Sequence, residues 1–263
     1  MKQLLLLFYI LSLNSALAQE QKLFATPLSE QLTPGDSFIG LDALGAYYLI
    51  TDNVISKHFD GKISEYKNVS LGKITKVDLQ NPLKIVLFYE DFNSAVILDN
   101  QLNEIHKINF SETENPIIAT ATGIASQNRL WIYNSLSQQI GLFDYQKNTY
   151  QSITPSFQVN FKHYESDFNT FQWIDFNSNW YSCDVFGKIT SLGKVADFEQ
   201  IQSVANRGVL FYKDGELFLH DLQKNVIYTI VNVEKTFKNF YYKDQILSIF
   251  TTTGIINYKI TIP

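Results

Sequence analysis

Four acidic residues recur at similar positions along this chain and could do chemistry together. They are Asp60, Asp99, Asp144 and Asp221, and each ends an apolar run and precedes a short polar turn. Carboxylates brought into register around a ring could bind a metal ion or share the roles of general acid and general base. Whether they meet depends on the elements that carry them.

The other residues that could take part in chemistry are isolated. The four histidines show no paired metal-ligand spacing, and Cys183 is the only cysteine. Cys183 falls in a predicted strand, where a buried and inert thiol is expected. A Gly-x-Ser-x-Gly nucleophile motif is absent. The sequence therefore predicts no metal, no cofactor and no internal disulfide.

Asp60, Asp99, Asp144 and Asp221 belong to a repeat with a period of about 40 residues. This period is typical of β-propellers with one four-stranded blade per repeat. In the first repeat, residues 37–42, 46–51, 54–59 and 63–67 read as four short strands. Asp52-Asn53 and Asp60-Gly61 are predicted hairpin turns. The prediction is an all-β fold: a single β-propeller of six four-stranded blades.

The last repeat has residues for only three strands before the sequence stops at Pro263. An open sheet edge invites aggregation, and propellers remove it by closing the ring. Residues 21–28 precede the first blade and contain the alternating run Lys22-Leu23-Phe24-Ala25-Thr26. We therefore expect this N-terminal strand to be the outer strand of the last blade.

The predicted blades give the four repeated aspartates a structural role in place of a chemical one. Asp60, Asp99, Asp144 and Asp221 fall at the hairpin that leads into the outermost strand, away from the central channel, and are predicted turn residues. The acids at inner-strand positions are Asp36, Asp42, Asp78 and Glu199. A propeller that hydrolyses glycans would place such carboxylates around the channel, which gives the alternative function: glycan binding or glycan hydrolysis.

The N-terminus reads as a secretory signal peptide over residues 1–18. It has one cation, Lys2, an apolar core from Leu4 to Leu13, and the small-residue pattern Ala16-Leu17-Ala18. Cleavage near Ala18 would leave a single propeller domain, residues 19–263, that is periplasmic or associated with the outer membrane. The apolar core is too short to span a membrane. The net charge of −5 and the lack of Lys/Arg clusters predict no binding to nucleic acid.

The unit from Leu142 to Tyr150 resembles the repeat of the quinoprotein-like and YVTN-type bacterial propellers. In those families the aspartate ends the third strand and the turn leads to the outermost one. The Gly and Trp that complete the quinoprotein repeat are missing here, since the position after the turn holds Tyr66, Ile105, Tyr150 or Ile227. The composition, rich in Asn, Lys, Phe and Tyr, resembles that of Bacteroidota envelope proteins.

The resemblance implies a non-enzymatic role. We expect a protein-binding scaffold or accessory subunit of an envelope machine, either an outer-membrane complex or a secretion system such as type IX. Two segments are candidates for the contact with this partner complex. An irregular segment covers residues 154–169, and the inner strand of blade four is predicted within it, over residues 157–164. Tyr164 and Phe168 flank Glu165-Ser166-Asp167 in this segment and are predicted to form a partner-binding loop. Glu112 and Glu114 lie in an acidic loop between blades two and three.

Overall fold

The structure is a computed structural model and describes residues 21–204 and 208–262. The predicted signal peptide, residues 1–18, lies outside the described residues and stays a prediction. Within the described residues the chain is built almost entirely of strands. Numbered along the chain, they are β1 (Gln21–Phe24), β2 (Thr26–Leu32), β3 (Ser37–Leu41), β4 (Tyr47–Thr51), β5 (Val54–Phe59), β6 (Lys62–Tyr66), β7 (Lys76–Asp78), β8 (Ile85–Tyr89), β9 (Ser94–Leu98), β10 (Glu104–Asn109), β11 (Ala119–Ala125), β12 (Arg129–Asn134), β13 (Gln139–Asp144), β14 (Thr149–Ser152), β15 (Phe161–Ser166), β16 (Thr170–Asp175), β17 (Asn179–Asp184), β18 (Ile189–Lys194), β19 (Gln200–Val204), β20 (Gly208–Lys213), β21 (Glu216–Asp221), β22 (Val226–Val231), β23 (Asn239–Lys243), β24 (Ile246–Phe250) and β25 (Gly254–Lys259).

These strands form six sheets arranged as blades around a ring. Blades one to five consist of β3–β6, β7–β10, β11–β14, β15–β18 and β19–β22, and blade six consists of β23–β25 with β2. Neighbouring strands within each blade are antiparallel, and the first strands of adjacent blades contact one another, β23 of blade six with β3 of blade one included. The predicted all-β propeller of six four-stranded blades is therefore confirmed.

The N-terminal segment closes the ring, but residues 21–28 divide between two blades. β2 pairs antiparallel with β25 and is the outer strand of blade six, as predicted for the N-terminal strand. β1 instead pairs in parallel with β22 and adds a fifth strand to blade five, where only four strands were predicted. Leu23 and Ala25 are buried where blades five and six meet, and this apolar contact explains the division.

The hairpins into the outermost strands have the predicted turn chemistry. Asp60 and Gly61 join β5 to β6 with φ of 50° and 69°, the left-handed pair of a type I′ turn. Asp99 and Asp144 each use a carboxylate oxygen to accept backbone N–H groups of the following turn. These acids end strands at the periphery, so the interpretation as turn residues is confirmed.

The core lies between blades and is strongly aromatic. Trp131, Phe143 and Phe171 are fully buried, and burial of each such side chain is worth roughly 1.5–3 kcal/mol. The inner strand of blade four was predicted over residues 157–164 but runs over 161–166. Phe157 leaves the strand because its ring stacks on Trp173, with ring centroids 5.6 Å apart.

Antiparallel blades give the ring two different faces. The turns between second and third strands and the connections between blades lie on one face, which we call the upper face. The turns between first and second strands, and between third and fourth, lie on the opposite, lower face. No helix in the described part of the chain is long and apolar enough to cross a membrane.

Candidate functional site

A belt of polar side chains ties the inner strands of successive blades together. In four places an inner-strand side chain accepts a hydrogen bond from a backbone N–H of the next blade's inner strand. The pairs are Asp78 with Ile124 (2.8 Å), Glu165 with Ser203 (3.1 Å), Gln202 with Tyr242 (2.7 Å) and Asn239 with Phe38 (3.3 Å). Buried backbone donors need partners, so these bonds stabilise the ring.

Blades two and four also meet across the inner strand of blade three. The Lys76 Nζ donates to the Tyr164 carbonyl at 2.9 Å and lies 4.7 Å from the centre of the Tyr164 ring. Gly123 permits this approach, because a Cβ there would lie 1.9 Å from the Ser166 Oγ and 2.9 Å from the Asp78 Oδ2. Burial raises the pKa of Asp78 and lowers that of Lys76.

Glu165 is the most strongly stabilised carboxylate of the belt. Burial opposes its ionisation, but hydrogen bonds from His163 and Ser203 and the charge of Lys76 outweigh burial and lower its pKa to about 2. The His163 Nε2 lies 2.9 Å from the Glu165 Oε1, and the Ser203 hydroxyl donates to the other oxygen. The ionised carboxylate thus joins blade four to blade five.

This arrangement predicts a pH dependence of stability. Because the pKa of Glu165 is depressed when the protein is folded, its contribution is fully present above its usual pKa of 4.5 and is lost as the pH falls through about 2. Wild-type protein will therefore lose more thermal stability between pH 5 and 2 than Glu165→Gln, whose amide does not titrate. Melting temperatures measured across this range check the prediction, and parallel curves for the two proteins would contradict it.

Asp36, Asp42 and Glu199, predicted at inner-strand positions, lie one residue outside those strands and serve the local backbone. Asp36 and Glu199 each accept the N–H of a residue in the turn between the second and third strands of their own blade. Asp42 is buried and accepts two backbone N–H groups and the Tyr48 hydroxyl. Each of the four acids considered for glycan hydrolysis thus has its own structural role, and only Asp78 belongs to the belt.

A cavity of about 620 Å³ opens on the upper face beside this belt. Three consecutive blades line it through their turns: Glu90 from blade two, Ser135 and Gln138 from blade three, and Phe176 from blade four. Lys76 and Tyr164 also line it, together with the connecting segment at residues 158–160. Its volume lies in the range of small-ligand and anchor pockets.

Exposed apolar side chains lie in upper-face turns of the same three blades, and one of them, Phe176, lines the cavity. Phe92, Leu136 and Phe176 lie in the turns of blades two, three and four and are 51%, 67% and 69% exposed. Ile118, in the connection between blades two and three, is 50% exposed, and its carbonyl accepts a hydrogen bond from Ser135 beside the cavity. Exposed apolar residues concentrated on one part of a surface mark contact sites more often than isolated ones do.

The four predicted partner-binding residues do not form one site. Tyr164 lies inside β15 rather than in a loop, because its ring stacks on Phe171 with centroids 5.6 Å apart; the loop prediction was wrong for this residue. Phe168 is partly exposed in the turn between β15 and β16, on the lower face. Glu112 and Glu114 are exposed on the upper face. Their role in binding a partner stays a prediction.

Phe92, Leu136 and Phe176 were not among the predicted site residues. Each is a single apolar residue within a polar turn, in Glu90–Asn93, Ser135–Gln138 and Phe176–Ser178. That pattern was visible in the sequence, but only the blade register places the three turns on one face. Among the described residues, no group of three or more His, Cys, Asp or Glu side chains is arranged to hold a metal ion.

Comparison with known proteins supports the fold and leaves the function open. No protein family and no curated protein matches the sequence. Solved structures do match: virginiamycin B lyase from Staphylococcus aureus, an inactive variant with quinupristin, has a TM-score of 0.52 at 13% identity over 92% of this chain and 99% of that one. BBS1N in complex with ARL6DN has a TM-score of 0.50 at 12% identity over 82% of this chain and 74% of that one.

A third structure, BamB from Moraxella catarrhalis, has a TM-score of 0.45 at 12% identity and covers 89% of this chain and 75% of that one. That likeness is too low to support an argument about this chain. At these identities the matches show a shared fold only, and one fold hosts many functions. The chain is thus a six-bladed β-propeller, and the expected Bacteroidota origin receives no support from these comparisons.

Proposed function

We propose that this chain is a non-enzymatic, exported propeller that binds a protein partner of the cell envelope through its upper face. The observation that carries the proposal is the set of exposed apolar side chains in the upper-face turns of three consecutive blades, one of which, Phe176, lines a cavity. Interfaces draw most of their affinity from a few such side chains at a well-packed centre. The proposal of export depends on the predicted signal peptide. The proposal of an envelope partner depends on that signal peptide and on the resemblance to bacterial propellers.

The carboxylates in and beside the inner strands support a role without catalysis. Paired acid–base catalysis needs two carboxylates that face a common substrate. Here Asp36, Asp42 and Glu199 are engaged by nearby backbone donors, and Asp78 and Glu165 join neighbouring blades. Substitution of these acids is therefore expected to change the stability of the protein rather than a catalytic activity.

Replacing Phe92, Leu136 and Phe176 together with Ser tests the proposal. The triple variant should lose partner affinity by about 100-fold or more, since each hot-spot truncation costs 2 kcal/mol or more. The measurement is quantitative co-purification of the tagged, exported protein from the membrane fraction of its own organism. The matched control replaces Leu44, Leu83 and Phe186, which are equally exposed in turns of the lower face.

Both triple variants remove surface apolar groups only, so both should keep the wild-type melting temperature. Equal partner recovery with the upper-face variant and wild type would overturn the proposal. Loss with the lower-face variant alone would move the site to the other face.

Glycan binding or hydrolysis is the second candidate function. The observation in its favour is the lining of the cavity, which combines the rings of Tyr133 and Phe161 with the amides of Gln138, Gln158 and Asn160. An oligosaccharide that raises the melting temperature of wild type but not of Phe176→Ser would support it.

A further inference from the structure

We infer that a cleft between blades four and five binds a neutral, polyhydroxylated molecule of the size of a mono- or disaccharide. The cleft has a volume of about 780 Å³ and opens among turns of the lower face. Blade four contributes Thr170, Gln172 and Ser182 to its walls, and blade five contributes Ser203 and Gln223. The cleft shares no lining residue with the upper-face cavity, so this inference is independent of the proposed partner contact.

The face of blade four that meets blade five changes from apolar to polar along its length. Strand alternation places Gln172 with Ile174 on this face of β16, and Ser182 with Trp180 on this face of β17. Ile174 and Trp180 pack against apolar residues of blade five. Gln172 and Ser182 lie directly opposite each other, nearer the lower face. Apolar packing therefore closes the upper half of the contact between these blades, and polar side chains line the lower half.

Three other blades have an apolar pair at the position of Gln172 and Ser182. Each of these pairs packs in the core on the same side of its blade: Val86 with Ile97, Trp131 with Leu142, and Leu210 with Leu219.

The remaining two blades have polar pairs whose side chains bond to the protein. In blade six the Ser248 hydroxyl donates to the Asn257 Oδ1. In blade one Tyr48 lies opposite Lys57, and both contact the buried carboxylate of Asp42. A polar pair at this position is thus tolerated where the protein itself supplies its partners.

The polar pair of blade four lacks such partners. Within the described part of the chain, neither the Gln172 amide nor the Ser182 hydroxyl makes a hydrogen bond, and the Gln172 Oε1 is buried. Leaving buried polar groups without partners is unfavourable for folding. Since an apolar pair packs at this position in three other blades, the fold does not require these groups, and their hydrogen-bonding capacity is left for a ligand.

The charge of the cleft favours a neutral ligand. No Lys, Arg or His is among the described residues that line it. Its two carboxylates are already engaged. Glu165 is held by His163 and Ser203, and Asp167 accepts three hydrogen bonds within its own turn. Neither an anion nor a cation therefore finds an unpaired opposite charge here.

The cleft also has an apolar wall, formed by Trp180, Leu192 and Leu222. A pyranose ring presents hydroxyl groups at its edge and C–H groups on its faces, so it matches amides and hydroxyls on one side and an indole ring on the other. The volume of the cleft lies in the range of small-ligand sites. These features together specify the chemical class of the ligand.

The probes for the direct test are glucose, N-acetylglucosamine, maltose and cellobiose, each titrated into residues 19–263 by calorimetry. We expect at least one of them to bind with a Kd of about 1 mM or tighter. Glucosamine, which is cationic, and glucuronate, which is anionic, serve as charged references and should bind more weakly than glucose. Absence of binding by all four neutral sugars, or tighter binding of a charged reference, would overturn the inference.

Protein variants locate the contact. Gln172→Leu with Ser182→Val gives blade four an apolar pair like those of three other blades. This variant should bind the sugar at least about tenfold more weakly and melt at or above the wild-type temperature, because unpaired polar groups are removed. A merely structural role of the pair would lower the melting temperature instead. Gln80→Ala changes an exposed residue of the same cleft, carries little risk to folding, and should weaken binding about threefold.

Phe176→Ser, in the upper-face cavity, is the matched control and should bind the sugar as wild type does. Sugar binding that is equal in wild type and both cleft variants would overturn the inference. Loss of sugar binding in Phe176→Ser alone would also overturn it and would support the second candidate function.

Discussion

Deletion of residues 21–32 will abolish the cooperative unfolding transition of this propeller. β2 is the fourth strand of blade six, and its loss exposes the edge of β25. Loss of β1 likewise exposes the edge of β22, and removal of Leu23 and Ala25 opens the core between blades five and six. Each unpaired strand edge can also pair with another chain and so promote aggregation.

Two point variants distinguish the loss of ring closure from the effect of any substitution near this terminus. Leu23→Asp places a charge in a buried position and should cost several kcal/mol, whereas Leu28→Asp changes a residue that is half exposed on β2 and should stay within about 0.5 kcal/mol of wild type. Circular dichroism and calorimetry on residues 19–263 measure both. A synthetic peptide of residues 21–32 added to the truncated protein should restore a cooperative transition. A truncated chain with one transition at the wild-type temperature would contradict the prediction.

Local pattern was sufficient to predict the blades but not the division of residues 21–28. Hairpins are short-range features, and pairs such as Asp60-Gly61 specify them through the backbone angles that they tolerate. The division between β1 and β2 depends on contacts with β22 and β25, about 200 residues away along the chain, and no local signal records them. The same limit applies to Phe157, which packs on Trp173 instead of extending β15.

The candidate site was only partly predictable for a related reason. Residues 158–164 of the irregular segment do line the cavity, and Glu112 and Glu114 do lie on the face that carries it. Phe92, Leu136 and Phe176 were missed because an apolar residue in a single turn has no periodicity. Their common position follows from the antiparallel order of strands, which places equivalent turns of successive blades on one face.

Asp42→Ala will destabilise the protein by about 3–5 kcal/mol, the cost of leaving a buried charge without its partner. Asp42 is 2% exposed, and its Oδ2 lies 2.9 Å from the Tyr48 hydroxyl and 3.7 Å from the Lys57 Nζ. Lys57 is itself buried and otherwise donates to the Asn100 carbonyl in blade two. A carboxylate that the sequence offered as a catalytic candidate is therefore expected to act on stability.

Asp144→Ala is the matched control for this prediction. Asp144 also accepts two backbone N–H groups of a turn, but its lysine partner, Lys147, is exposed. Its loss should cost about 1 kcal/mol, the value of a turn-capping side chain, so the difference between the two variants reports the buried contacts of Asp42 with Tyr48 and Lys57. Adding Lys57→Met to Asp42→Ala should recover part of the lost stability, because the unpaired cation is removed. Urea unfolding of all four proteins measures these differences, and equal losses for Asp42→Ala and Asp144→Ala would show that the buried lysine makes no difference.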